Sequence, residues 1–334
     1  MVKLLWMTID RHPESLRALI REQLAETGWE VFEVSYDSLQ DIESIPLEEI
    51  DAVLLAPARH FPTTYMDRLT HCKIMQIWSS GYDKFNIEDA HDRGIIVANN
   101  HGSNAVSVAE HTILMLLGVS RRAPEMHDRV IAGTWAGNDH GMTSYSLSGK
   151  TLGIIGLGNI GTLVAMRAEA LGMRIIFVDP GIEKSPNLAW ERATFDHLCE
   201  VSDYISFHVH LGPETSNMIN MKNLSLLERR PFIINVSRAE LIAEDALIFA
   251  LENGLVRGFA LDAHYREPTA LPDKLLEFPN SLFSPHIAGS TVDSYIETAQ
   301  ACLANISGAL RGLPSKGRLI RAVNQDTSDS VDEK

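Results

Sequence analysis

Three side chains able to do chemistry together close apolar runs in the second half of this 334-residue chain. Arg238 follows Ile233-Ile234-Asn235-Val236-Ser237. Glu267 ends the stretch Asp262-Ala263-His264-Tyr265-Arg266, just before Pro268. His286 lies in Ser284-Pro285-His286-Ile287-Ala288-Gly289-Ser290. Arginine offers a planar, permanently charged fork that matches a carboxylate. A histidine beside a carboxylate can hold and deliver a proton near neutral pH. Together they could hold a small acid and protonate the oxyanion left when a ketone takes up hydride. Taken singly each has an ordinary reading: a surface ion pair for Arg238, a solvated loop acid for Glu267, a helix cap for His286.

Such chemistry needs a hydride carrier, and the run Thr151 to Gly161 points to one. An apolar, strand-like stretch, Leu152 to Ile155, leads into G-x-G-x-x-G at Gly156, Gly158 and Gly161. An apolar-periodic segment from Leu163 to Leu171 follows and stops at Gly172; a second apolar run, Arg174 to Val178, ends on Asp179. Strand, glycine turn, helix, strand and acid within about thirty residues is the layout of a dinucleotide-binding βαβ unit. Gly156 permits the tight turn, Gly158 lets backbone approach a pyrophosphate, and Gly161 lets the helix pack on the sheet. Free N–H groups and the helix dipole favour an anion there. Asp179 suits the adenosine ribose hydroxyls and repels the extra phosphate of NADP, and Pro180 to Lys184 hold no arginine to offset that. NAD is the expected cofactor.

The elements that position these residues alternate strand and helix. Lys3–Ile9, Val31–Tyr36, Ala52–Leu55, Ile74–Trp78 and Ile95–Ala98 read as strands of a first α/β unit. Ser15–Thr27 carries Leu16, Leu19, Ile20 and Leu24 on one helical face and stops at Gly28. A second unit begins after Gly149-Lys150, with Tyr204–Val209, Phe232–Val236 and Phe259–Leu261 as later strands and Asp245–Glu252 as a helix capped by Gly254. Thr291–Leu310 reads as helix, and Arg121–Ser148 as an irregular excursion suited to an oligomer contact.

Composition narrows the function. A hydrophobic content of 45% and a charged content of 22% fit a globular protein. A net charge of -15 argues against nucleic acid and anionic membranes, so an anionic substrate needs a local cation. Cys72, Cys199 and Cys302 are far apart, lack metal-ligand spacing and suit a reducing, cytoplasmic compartment; no metal is expected. Met1–Ile9 reads as a first strand rather than a leader, and the apolar helix Ala105–Ser120, interrupted by Glu110 and His111, is too short to span a bilayer. Asp326–Lys334 reads as a frayed acidic tail.

Over nearly its whole length the chain resembles the D-isomer-specific 2-hydroxyacid dehydrogenases. The matching stretches, in order, are Ser80-Gly81-Tyr82-Asp83, Gly94-Ile95, Ser107-Val108-Ala109-Glu110-His111, Gly156 to Gly161, His208 with Pro213-Glu214-Thr215, Asn235 to Arg238, Asp262 to Pro268 and Pro285 to Gly289. The resemblance implies an α/β fold of two Rossmann-like domains: an NAD-binding domain, 101–286, inserted in a flavodoxin-like substrate domain, 1–100 and 287–334. It implies an active site in the cleft, with Arg238, Glu267 and His286 catalytic and Ser80, Gly81 and Arg238 holding substrate. It places NAD against Ser107, Gly156, Gly158, Asn159, Ile160, Gly161, Asp179, His208, Thr215, Val236 and Asp262, the last on the nicotinamide carboxamide. It implies a homodimer joined through 121–148, acting on a 2-oxo acid or its D-2-hydroxy acid.

Two further readings share the resemblance: an NAD(H)-sensing interaction protein like the family's corepressors, and oxidation of another small anion such as phosphite. Glu267 stands where the superfamily's formate dehydrogenases usually carry glutamine, which argues against formate. A regulatory domain after the helix near Leu310 is not expected. Three positions depart from the family pattern: Ala239 where glycine follows the arginine, and His101 and His210 where prolines are common. Leu55–Arg59 and the residues near Tyr82 are expected to shape the substrate pocket, and Arg59 could meet a second substrate carboxylate or phosphate.

Overall fold

The computed structural model of the chain describes residues 1–100, 102–135, 137–268, 273–316 and 318–319; His101 lies outside them. The chain divides into two compact units, Met1–Ser103 with the described residues from Val292 on, and Asn104–Thr291.

In the first unit the strands are β1 (Lys3–Thr8), β2 (Glu30–Ser35), β3 (Ala52–Leu55), β4 (Ile74–Ile77) and β5 (Ile96–Ala98). All pair in parallel, in the order β2-β1-β3-β4-β5. That order is the flavodoxin-like one. A short strand at Arg318–Leu319 adds to β5 antiparallel. The strands are near-continuous apolar runs because helices cover both faces. Leu4, Trp6 and Leu54 pack on one face with Ile20 and Leu24 of the helix Glu14–Ala25 and Ile306 of the helix Val292–Leu310. Leu5, Met7, Val53 and Leu55 point to the other face, into a cluster with Phe61, Met66 and Leu69.

In the second unit the strands are β6 (Thr151–Ile155), β7 (Arg174–Val178), β8 (Glu191–Arg192), β9 (Tyr204–Phe207), β10 (Phe232–Asn235), β11 (Gly258–Leu261) and β12 (Ser281–Phe283). Their order is β8-β7-β6-β9-β10-β11-β12, all parallel. Counted within the unit this is the dinucleotide-binding order, with its reversal between β6 and β9. Leu152, Ile154, Phe232 and Ile234 face Val108, Met115 and Leu116 of the helix Ala105–Arg121 and Val164 and Ala168 of the helix Asn159–Ala170. Ile155, Ile205, Ile233 and Phe259 face Leu198, Leu247 and Ala250 on the other side. Each fully buried aliphatic side chain here is worth about 1.5–3 kcal/mol relative to exposure.

The expectation that Arg121–Ser148 is irregular is corrected by the structure. Arg122 takes a left-handed conformation, φ 52°, which ends the helix Ala105–Arg121, and a new helix runs over Ala123–Ile131 with Pro124 in its first turn. A short helix follows at Gly137–Gly141. Proline in a first helical turn is preorganised for a start, not a stop. Several expected strands also end one or two residues early: His208, Val209 and Val236 fall just past the ladders of β9 and β10. No described helix is long and apolar enough to cross a membrane.

Candidate active site

Arg238, Glu267 and His286 follow β10, β11 and β12, three neighbouring parallel strands, and so stand on one carboxyl edge of the sheet. Open α/β sheets bind ligands outside that edge. Asn235, the last residue of β10, is fully buried, and its side chain shapes the following loop. It donates from Nδ2 to the Arg238 carbonyl at 2.7 Å and accepts the Ser237 N–H at 3.0 Å. The Arg238 guanidinium donates to the Ser237 carbonyl at 2.9 Å.

His286 Nδ1 lies 2.8 Å from Glu267 Oε1. The same oxygen accepts the His264 N–H at 3.1 Å, which anchors the carboxylate. A carboxylate only accepts, so Nδ1 carries the proton and Nε2 is left to face a ligand. The imidazole is 43% exposed and the Glu267 side chain 27%. His286 sits at φ 56°, a left-handed conformation that side-chain-bearing residues rarely adopt. Asp262 holds that turn. It is fully buried; its Oδ1 accepts the Ser284 hydroxyl and the Ile287 N–H at 2.9 Å, and its Oδ2 accepts the Ala288 N–H at 2.8 Å. All three donors belong to the His286 turn.

The glycine turn separates into structural and open positions. Gly156 has φ 91°, and a Cβ there would lie 2.6 Å from Val209 Cγ1 and 2.7 Å from the His208 carbonyl oxygen. A Cβ on Gly161 would collide with the Gly156 carbonyl oxygen. Around Gly158 nothing lies within 4 Å of that position. The protein's own packing therefore demands the first and third glycines, and the second leaves bare backbone at the helix start beside exposed Asn159.

Asp179 directly follows β7 and is tied to the turn: Oδ2 accepts the Leu157 N–H and Oδ1 the Gly181 N–H, each at 2.8 Å. His208 Nε2 meets Ser206 Oγ at 2.9 Å, while Nδ1 is buried without a hydrogen-bond partner. The residue keeps some exposed surface, but burial of the ring nitrogen depresses its pKa to about 3, so it stays neutral near pH 7. Thr215 Oγ1 donates to the His210 carbonyl at 2.6 Å and accepts the Gly212 N–H at 2.8 Å. Ser107 Oγ meets Thr291 Oγ1 at 2.8 Å. Val236 is 7% exposed and belongs to the core cluster against which partly buried Ile160 packs. In the first unit Ser80 and Gly81 follow β4. Ser80 Oγ donates to Asn100 Oδ1 at 2.6 Å, the Asn99 amide donates to the Ser80 carbonyl at 2.8 Å, and Ser79 Oγ donates to the Gly81 carbonyl at 2.7 Å. Arg59 stands 3.7 Å from Asp37 and over the Tyr36 ring.

Residues 113–288 match the family model described as D-isomer specific 2-hydroxyacid dehydrogenase, NAD binding domain. A glyoxylate reductase from Thermococcus litoralis is 31% identical over 312 residues, 89% of this chain and 94% of that protein. The chain belongs to the D-isomer specific 2-hydroxyacid dehydrogenases. A D-3-phosphoglycerate dehydrogenase from Bacillus subtilis is 31% identical over 306 residues, 89% of this chain. The chain spans about half the length of such phosphoglycerate dehydrogenases, 58% of the Bacillus protein and 49% of one from Synechocystis. Among solved structures, the TT0316 protein from Thermus thermophilus superposes with a TM-score of 0.80 at 26% identity, covering 95% of this chain and 100% of that one.

NAD is the cofactor of this domain, and the residues present fit it. The unencumbered Gly158 at a helix N-terminus leaves room for a pyrophosphate, and Asp179, just after β7, is tied to the same turn. Sequence reasoning gave no role to Asn235, Ser284 or His264. Ser284 and His264 act through hydrogen bonds between different strand ends, which no local pattern announces, while Asn235 bonds the loop two and three residues on.

Proposed function

We propose that this chain is an NAD-dependent oxidoreductase that interconverts a 2-oxo acid and its D-2-hydroxy acid. The observation carrying this reading is the 2.8 Å contact between His286 Nδ1 and Glu267, on the sheet edge that also bears Arg238. NAD, when bound, supplies the acceptor or donor of the hydride. Arg238 pairs with the substrate carboxylate and polarises its carbonyl oxygen. His286 delivers a proton from Nε2 to that oxygen during reduction and removes it from the hydroxyl during oxidation. Glu267 stabilises the imidazolium and fixes the ring. The balance is 2-oxo acid, NADH and one proton giving the D-2-hydroxy acid and NAD.

The rest of the site follows the resemblance. The N–H groups of Ser80 and Gly81 are proposed to receive the substrate carboxylate. Gly156, Gly158, Asn159, Ile160 and Gly161 receive the pyrophosphate, Asp179 the ribose, and Ser107, His208, Thr215, Val236 and Asp262 line the remainder of the cofactor groove. A homodimer is proposed through 121–148, supported by exposed apolar side chains there: Ile131 at 75%, Trp135 at 87% and Met142 at 86%.

NADH oxidation by the pure protein against glyoxylate, hydroxypyruvate, pyruvate, oxaloacetate and branched or aromatic 2-oxo acids, repeated with NADPH, tests the reading. Turnover of at least one with NADH, faster than with NADPH, is expected. Tight NADH binding with no acid reduced would overturn the reaction.

A further inference from the structure

Ser284 uses every polar atom it has. Its N–H donates to the Leu261 carbonyl at 3.1 Å, and its carbonyl accepts the His264 Nε2–H at 2.9 Å and the His286 N–H at 3.0 Å. Its hydroxyl donates to Asp262 Oδ1 and lies 2.8 Å from His111 Nε2. A hydroxyl has one proton, and Asp262 takes it, so His111 must be the donor in the second contact. His111 Nε2 also lies 3.7 Å from Asp262 Oδ1, with the histidine side chain 15% exposed. His111 belongs to the helix Ala105–Arg121, whose Val108, Met115 and Leu116 are locked in the core. One hydroxyl thus joins a rigid helix, a buried carboxylate and the turn that carries the proton donor.

We propose that Ser284 and His111 are positioning residues of the dehydrogenase site. The chain His111–Ser284–Asp262 holds the turn in which His286 is left-handed, and so keeps its Nδ1 on Glu267. The proposal rests on the reaction proposed above. Its physical basis is the cost of the conformation: a non-glycine residue at φ 56° is retained only where its surroundings over-determine it. Without the Ser284 hydroxyl, His111 loses its acceptor and Asp262 one of its three donors. The turn is then free to relax, and the imidazole leaves Glu267. Among the described residues, the charged and titratable groups hydrogen-bonded to the turn include Glu267, Asp262, His264 and His111.

The test uses Ser284→Ala, Ser284→Thr, His111→Phe and His111→Gln in the full chain. The readouts are kcat and KM for the 2-oxo acid that the wild type reduces, the Kd for NADH by fluorescence, and the low-field Nδ1–H proton resonance of His286 without cofactor. Ser284→Ala and His111→Phe are expected to lower kcat about 10- to 100-fold, the scale of a small misplacement of a reacting group. The Kd for NADH stays within about twofold, and the double variant is no worse than either single one because both cut the same chain. Ser284→Thr keeps the hydroxyl and His111→Gln keeps a donor, so both restore kcat to within a few-fold. The His286 resonance persists in wild type and Ser284→Thr and is lost in Ser284→Ala. Wild-type kcat with an intact resonance in Ser284→Ala would overturn the proposal, as would equal losses in the alanine and threonine variants. Should the wild type reduce no 2-oxo acid, the reaction fails while the resonance still decides the positioning. Should Ser284→Ala not fold, the His111 pair decides it by the same two readouts.

Discussion

His286 donates through Nδ1 to Glu267, so in the proposed reaction the proton exchanged with substrate is carried by Nε2. Replacing Glu267 by glutamine keeps a hydrogen-bond acceptor and removes the charge proposed to stabilise the imidazolium. Steady-state reduction at pH 7 should slow about 10- to 100-fold, or about 1.4–2.7 kcal/mol in the barrier, with the Kd for NADH unchanged. An unchanged rate would show that the carboxylate is only a spacer. His208 yields a prediction about stability. Burial holds it near a pKa of about 3, while an unfolded histidine titrates near 6.5. Protonation therefore favours the unfolded chain, and stability falls as pH drops below 6.5 toward 3. The loss at pH 5 is about 2 kcal/mol. Urea titrations at pH 7 and pH 5 should show that loss in the wild type and a smaller one in His208→Asn. Equal losses would place the pH dependence elsewhere.

At the scale of elements, the glycine turn separates what the fold needs from what the ligand needs. Gly158→Ala meets no neighbouring atom, so thermal stability should hold while the Kd for NADH rises at least about tenfold. Gly161→Ala drives a methyl into the Gly156 carbonyl and should lower stability by about 1–3 kcal/mol as well. Calorimetry beside NADH titration separates the two; equal stability losses would contradict the division. The same reasoning explains what could be read in advance. The strands β1, β6, β10 and β11 are buried on both faces, so they appear as apolar runs, and each acid, arginine or histidine after them stands out. β8 is two exposed residues, and β12 is three half-buried ones at the sheet edge, so neither shows an apolar run. The helix Ala123–Ile131 buries no residue, and its proline looks like a break until it is seen at a helix start. Ser284 acts through hydrogen bonds to Asp262 and His111 on other elements, a relation that periodicity does not encode, and Asn235 through bonds to Ser237 and Arg238 in the loop after it.

For the whole molecule, burial pushes the thiols of Cys72, Cys199 and Cys302 up to about 12, and all three are unpaired. Thiolate is the reactive form, so an aromatic disulfide reagent at pH 7.5 should modify none of them in the native protein and all three in denaturant. Rapid native labelling would contradict the burial. Sedimentation of the pure protein should give twice the chain mass, and Trp135→Ser should shift it toward one. The proposed reaction depends on two side chains from different strand ends acting on one substrate. The most direct measurement compares wild type, Arg238→Ala and His286→Ala for NADH-dependent reduction of the best 2-oxo acid, with the Kd for NADH determined in each. The expected result is a D-2-hydroxy acid from the wild type and a rate loss of about 10²–10⁴-fold in His286→Ala. Arg238→Ala should likewise lose most of its turnover, and NADH binding should be retained in both. Wild-type rates in both variants would contradict the account.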